Sequence, residues 1–153
     1  MKKQFFNDKI GKTINTLNKW VVFFGSILLS LQVFANPVFN SISQGQVTIQ
    51  QTPNSTVINQ ASPKAIINWQ SFNIGAQEST HFQQPAGGIA LNRISPQDGA
   101  SQIFGRLSAT GQIILINPAG IYFGPTAMVN VGGLIASTAS ISETDFMSPL
   151  RTC

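Results

Sequence analysis

Cysteine is almost missing from this 153-residue chain: the one thiol, Cys153, is its last residue. No disulfide can form within the chain, and no thiolate cluster for zinc or iron. Histidine is as scarce. His81 stands alone between Thr80 and Phe82, a strand-like setting with no second convergent group for a triad, a general base or a metal site. Charge is thin as well, at 9% of residues, against roughly 25% in ordinary soluble domains. What charge exists is unevenly placed. Lys2, Lys3, Lys9, Lys12 and Lys19 crowd the front, with only Asp8 against them. From Asn36 onward Lys64, Arg93, Arg106 and Arg151 are balanced by Glu78, Asp98, Glu143 and Asp145. The net charge of +4 therefore belongs to the N-terminus. The remainder lacks the clustered cations that phosphate binding needs, which excludes a nucleic-acid partner. The carboxylates are too scattered for a calcium-dependent polysaccharide lyase. No catalytic residue, cofactor or metal is expected, and the chain is read as a non-enzyme.

Long hydrophobic runs are lacking too. The longest uncharged apolar core, Val21–Leu31, has 11 residues, whereas a spanning helix needs roughly 20. It follows the basic stretch and precedes Val33-Phe34-Ala35. Basic, apolar, then small residues at −3 and −1 of a cut is the order of a Sec signal peptide. Residues 1–35 are expected to be that leader, cut between Ala35 and Asn36, with the Sec translocon as its partner.

Helical periodicity is also missing from the rest. Instead short β-branched runs are divided by Gly, Pro, Asn and Ser. Strands are expected around Gln46–Ile49, Thr56–Asn59, Ala65–Trp69, His81–Gln83, Gly88–Leu91, Ser101–Phe104, Gly111–Ile116, Gly120–Phe123, Ala127–Val131 and Gly133–Ala136. Gln112–Ile116 is nearly all apolar, the mark of a strand buried on both faces. An all-β fold follows. Sandwich, barrel and solenoid all satisfy the pattern, and no internal repeat chooses among them.

Four features invite a functional reading. Asn117-Pro118-Ala119-Gly120 has turn chemistry: Asn bonds the backbone, Pro presets φ, and Gly accepts φ > 0. Such a turn either reverses the chain or is also what a partner sees. Gly132-Gly133 lacks the Lys-Ser or Lys-Thr of a phosphate loop and reads as a bend. Trp69 and Phe72 are read as core. His81 is read as an ordinary surface or half-buried side chain.

Six segments then carry a resemblance: Ile58–Ser62, Ile67–Gly75, Ala90–Ile94, Ser101–Gly105, Ile116–Ile121 and Val129–Thr138. In this order and spacing, from about Gln46 to Phe146, the chain resembles the filamentous haemagglutinin N-terminal domain, also called the haemagglutination activity or two-partner secretion domain. Any one segment is weak, and six in order are specific. The resemblance implies a right-handed parallel β-helix at the start of a large Gram-negative exoprotein, often an adhesin. Its partner would be a dedicated outer-membrane β-barrel transporter, met through the transporter's periplasmic domains. The mature product would be secreted or held at the cell surface, where a host-cell surface or glycan is a further partner. Asn92 and Arg93 lie in one family segment, and Asn117, Pro118 and Gly120 in another, and these are the expected recognition residues. The family turn is usually Asn-Pro-Asn-Gly, and Ala119 departs from it. Residues 36–148 are expected to be the first part of the domain and 149–153 an aberrant tail, leaving the β-helix incomplete at its C-terminal end. A stand-alone β-rich adhesin or carbohydrate-binding protein is the alternative.

Overall fold

The computed structural model describes residues 35–149. The expected leader up to Phe34 and the tail beyond Pro149 lie outside the described residues. Twelve strands and one short helix fill the rest: β1 (Val38–Gln44), β2 (Val47–Thr52), β3 (Ser55–Gln60), β4 (Lys64–Ser71), β5 (Ser79–Gln83), β6 (Ile89–Ile94), β7 (Ser101–Ile103), β8 (Arg106–Ala109), β9 (Gln112–Ile116), β10 (Ile121–Phe123), β11 (Met128–Asn130), β12 (Gly133–Ser137) and α1 (Glu143–Met147).

The strands stack into a parallel β-helix of about four turns. Sheet 1 runs β1-β4-β6-β9-β12, sheet 2 runs β11-β8-β5-β3-β2, and β10-β7 form a small third sheet. The chain passes from sheet 2 to sheet 1 to the third face and then begins the next coil. Ile74 holds the third-face position of the first coil through a parallel bridge to Ile103. Register keeps equivalent positions in line. Thr56, Thr80 and Leu107 stack on one another, as do Ala65, Ala90, Ile113 and Leu134. β1 and β2 break the rule by pairing antiparallel, β1 on β4 and β2 on β3, and so close the first coil.

Period-two alternation explains the core. Ile58, Ile67, Trp69, Phe82, Ala90, Leu107, Ile113 and Leu115 point inward and are buried. Burial of each large side chain contributes on the order of 1.5–3 kcal/mol. Trp69 meets Phe72 edge-on at 5.3 Å, and Phe72 stacks on Phe82 at 6.5 Å. Phe39 of β1 closes the row, edge-on to Trp69 at 6.1 Å. Both aromatic residues read as core, Trp69 and Phe72, are there.

Sheet 1 is buried on its outer face as well. Ile66, Leu91 and Ile116 form a second apolar cluster with Phe146 of α1, which accounts for the unbroken apolar run of β9. Lys64 fastens this helix by donating from Nζ to the carbonyls of Phe146 (2.7 Å) and Ser148 (2.9 Å). Ser142 caps its first turn through the N–H of Asp145 at 3.1 Å. At the far end of the coils β11 and β12 leave Met128, Val129, Leu134 and Ile135 exposed.

Coil-to-coil contact demands a missing side chain at Gly105, between β7 and β8. A Cβ there would fall on the carbonyl oxygens of Gly75 and Glu78 in the coil before. Both are backbone atoms and cannot step aside.

Candidate functional site

The expected recognition residues fall in two places. The turn between β9 and β10 is the first. Gly120 N–H donates to the Asn117 carbonyl at 2.9 Å, closing a four-residue turn, and Gly120 holds φ +110. Asn117 Oδ1 accepts from Ala119 N–H at 2.9 Å, the side-chain bond that Asn brings to a turn. Asn117 is itself fully buried. Its Nδ2 donates to Gly99 O and Ser101 Oγ, both at 3.1 Å. These two acceptors belong to the corresponding corner of the preceding coil, just after a 3-10 turn at Pro96–Asp98. Asn117 thus ties two corners together, and what the turn shows to solvent is Pro118, Ala119 and part of Gly120.

The second place is β6. Its alternation turns Asn92 inward and Arg93 outward, so these neighbours do unrelated things. Asn92 sits in the core between Ile67 and Leu115 of the adjoining coils. Its Oδ1 accepts from Trp69 Nε1 at 2.8 Å, and its Nδ2 donates to Ala90 O and Ile114 O, both at 3.3 Å. A buried amide satisfied this way holds the Trp69 ring in one orientation. Arg93 is half-buried on the outer face. Its Nε donates to Asn68 Oδ1 (2.9 Å), and its Nη2 to Ser43 Oγ (2.9 Å) and Glu143 Oε1 (2.6 Å). One guanidinium therefore joins β1, β4, β6 and α1.

The hydrogen bond from Arg93, and then its charge, hold the Glu143 carboxyl below its ordinary value of 4.5. A carboxylate lowered on folding stabilises the folded state above its unfolded value, and that contribution is lost as pH falls through the lowered one. Amide exchange of α1 is accordingly expected to quicken relative to the core as pH drops from about 5 toward 3, after correction for intrinsic exchange. Glu143→Gln should flatten that pH dependence. An unchanged slope in the variant would assign the acid response to another group.

Ala35 and Asn36, the expected cleavage pair, lie against the first coil. Ala35 N–H donates to the Glu78 carboxylate, 3.0 Å from Oε2 and 3.3 Å from Oε1. Asn36 Nδ2 donates to Thr52 O and Pro53 O, both at 2.9 Å. His81 is half-buried, with Nδ1 2.8 Å from Ser108 Oγ. Among the described residues no three His, Cys, Asp or Glu side chains converge. Gly132 forms the bend between β11 and β12, and Gly133 opens β12.

A family model described as the TPS secretion domain matches residues 35–152. The chain belongs to the TPS secretion domain family. The β-helix agrees with that assignment: the crystal structure of the HMW1 secretion domain from Haemophilus influenzae superposes with a TM-score of 0.64 at 34% identity. The match covers 72% of this chain and 29% of that one. Two sequences named heme/hemopexin-binding protein, both from Haemophilus influenzae, are 37% and 41% identical over 108 and 101 residues. They align with 70% and 65% of this chain. The chain spans only 12% and 11% of their own length. It is homologous to the N-terminal secretion domains of two-partner-secreted exoproteins, and the resemblance carried by the six segments is borne out at the level of family and fold.

Three parts of this TPS secretion domain escape a sequence reading. Glu78 looks like one of several scattered carboxylates, yet it is buried. Lys64 looks like an isolated cation and Arg93 like part of a recognition segment, yet each pins α1. The Ser142-Glu143-Thr144-Asp145 stretch was the available signal for that helix, since Ser followed three residues later by an acid is a helix-start pattern.

Proposed function

We propose that this domain is the address by which a dedicated outer-membrane β-barrel transporter takes up the exoprotein behind it. Sec delivers the chain to the periplasm through residues 1–35, cleavage follows Ala35, and the transporter's periplasmic domains bind the secretion domain there. The domain acts by binding and folding, with no chemical step. The observation that carries this reading is the TPS secretion domain match over residues 35–152. Release outside the outer membrane follows from the same route.

Recognition is assigned to the outer surface of the Asn117–Gly120 turn, with Pro118 and Ala119 as the exposed contacts and Asn117 as the brace behind them. Arg93 contributes an exposed edge of its guanidinium, while Asn92 acts through the position of Trp69. Pairing of an extended segment with a strand edge in the transporter supplies backbone hydrogen bonds that need no particular side chain. Each coil that closes outside then buries apolar residues on the coil before it, which draws the chain outward.

Co-expression of the chain with its transporter tests the reading, by measuring the fraction of protein in the medium. Replacing Pro118 and Ala119 by Asp is expected to cut that fraction by about tenfold, the equivalent of roughly 1.4 kcal/mol of lost affinity. The melting temperature should stay within a degree or two, because both side chains point to solvent. Asn117→Ala should lower secretion and melting temperature together. Full secretion by the Asp variant would remove the turn as the contact. Retention of the native chain in the periplasm despite a working transporter would sink the proposal altogether.

A further inference from the structure

Glu78 is 7% exposed, and among the described residues no Lys or Arg forms an ion pair with it. A carboxylate taken out of water without a cation is costly unless donors surround it. Two backbone N–H groups approach it: Gly75 at 2.6 Å and Ala35 at 3.0 Å. The second belongs to the residue that precedes the expected signal-peptidase cut. Removal of the leader takes Ala35 away and leaves Gly75 as the one backbone donor of that pair. The same hydrolysis turns the neutral amide nitrogen of Asn36 into a primary ammonium, one residue from the vacated place. Consecutive Cα atoms lie about 3.8 Å apart, so a short swing of the freed end brings the ammonium to the carboxylate.

The residue that becomes the new terminus carries a second acceptor. Asn36 Oδ1 is buried and has no hydrogen-bond partner, although Asn36 Nδ2 is doubly used on Thr52 and Pro53. The next residue is pinned as well: Pro37 is buried, and its carbonyl accepts from Gln51 Nε2 at 2.6 Å. The new terminus is thus held on its C-terminal side, one residue from the Glu78 carboxylate's vacated donor and with an unpaired oxygen on its own side chain. An ammonium carries three donors where an amide has one.

We propose that Glu78 is the seat for the α-ammonium group that leader removal creates at Asn36. The proposal rests on cleavage between Ala35 and Asn36. Processing thereby becomes part of folding: it supplies the cation that the Glu78 carboxylate lacks, and it locks the entry to β1 onto the loop between β4 and β5. The unprocessed chain fills the same place with a neutral N–H.

The test uses the full chain exported with its own leader to the periplasm of a bacterial host, with the mature N-terminus read by mass spectrometry. The pH dependence of acylation of the α-amine by a trace of an activated ester is then followed by peptide mapping. A carboxylate partner raises the ammonium's titration point, whereas burial alone lowers it. The expected midpoint is about one unit above the usual 7.7–8.0, which makes acylation near pH 7 about tenfold slower than in the same chain unfolded in urea. Glu78→Gln, whose side chain can still accept from Gly75, should return the midpoint to the usual range. A midpoint at or below that range in the native chain overturns the proposal while leaving the cleavage site intact. A mature chain that starts elsewhere than Asn36 overturns the cleavage site and the proposal together. The native chain alone gives the sign of the shift, so the outcome is decisive even where the Gln variant does not fold.

Discussion

Asn92→Ala is expected to destabilise the domain by about 3 kcal/mol. Two losses add. The buried Trp69 indole N–H is left without its acceptor, which costs on the order of 1–3 kcal/mol. The missing amide also leaves a hole between Ile67 and Leu115, where the neighbouring coils are held in register and relax little. Urea unfolding followed by circular dichroism measures the total, because fluorescence would mix the effect on Trp69 itself with unfolding. The partner experiment separates the two terms. Trp69→Phe in the Asn92→Leu background removes donor and acceptor together, and such paired removal is close to neutral where shape is kept. The double variant should therefore be more stable than either single one. If Asn92→Ala unfolds within about 0.5 kcal/mol of the native chain, the amide is a bystander and the inward Asn needs another explanation.

Gly105→Ala should do at least as much damage by a different route. Its new methyl group meets two carbonyl oxygens, those of Gly75 and Glu78, with no flexible side chain to give way. Overpacking against a side chain typically costs about 1–3 kcal/mol, and backbone obstruction raises the cost beyond that. The damage should also be local in a way that core truncation is not. Gly105 N–H donates to Ile74 O, and Arg106 N–H to Glu78 O, so the joint between the first and later coils opens. Limited proteolysis is expected to release fragments cut near residue 105 while residues 38–83 remain protected. Uniform loss of protection along the chain would mean that the coils unfold as one unit.

Most strands were legible from short alternating or apolar runs between turn residues. β9 is the clearest instance. Gln112–Ile116 reads as buried on both faces, and it has core on one side and Phe146 on the other. β1 was not legible, because Val38–Gln44 is mostly exposed and takes its strand form from pairing with β4 through repeated register shifts. β8 was missed for another reason: Arg106-Leu-Ser-Ala109 offers only one buried side chain, Leu107. Helix α1, five residues long, is too short for a 3.6-residue period to show. Which solenoid, sandwich or barrel the strands would build was invisible to periodicity, since the coils repeat in shape without repeating in sequence. The family segments supplied that choice.

The site was half legible. A turn at Asn117–Gly120 follows from its residue types, but that Asn117 reaches back to Gly99 and Ser101 is a fact about stacked coils. Adjacent letters in β6 likewise look equivalent, and the pleat sends Asn92 inward and Arg93 outward. Glu78 shows the limit most sharply. Nothing local marks it as buried, and the donor it finds outside its own loop, Ala35 N–H, lies far away in sequence.

Away from the apolar cluster under α1, the outer faces of the coils carry amides and hydroxyls. Asn68 bonds Ser41 and Ser43, and His81 bonds Ser108. Among the described residues a single ion pair is present, Arg93–Glu143. Mobile ions screen charges and leave neutral hydrogen bonds almost untouched. The consequence is a fold largely indifferent to the ionic strength around it, holding its shape alike in dilute and in brackish water.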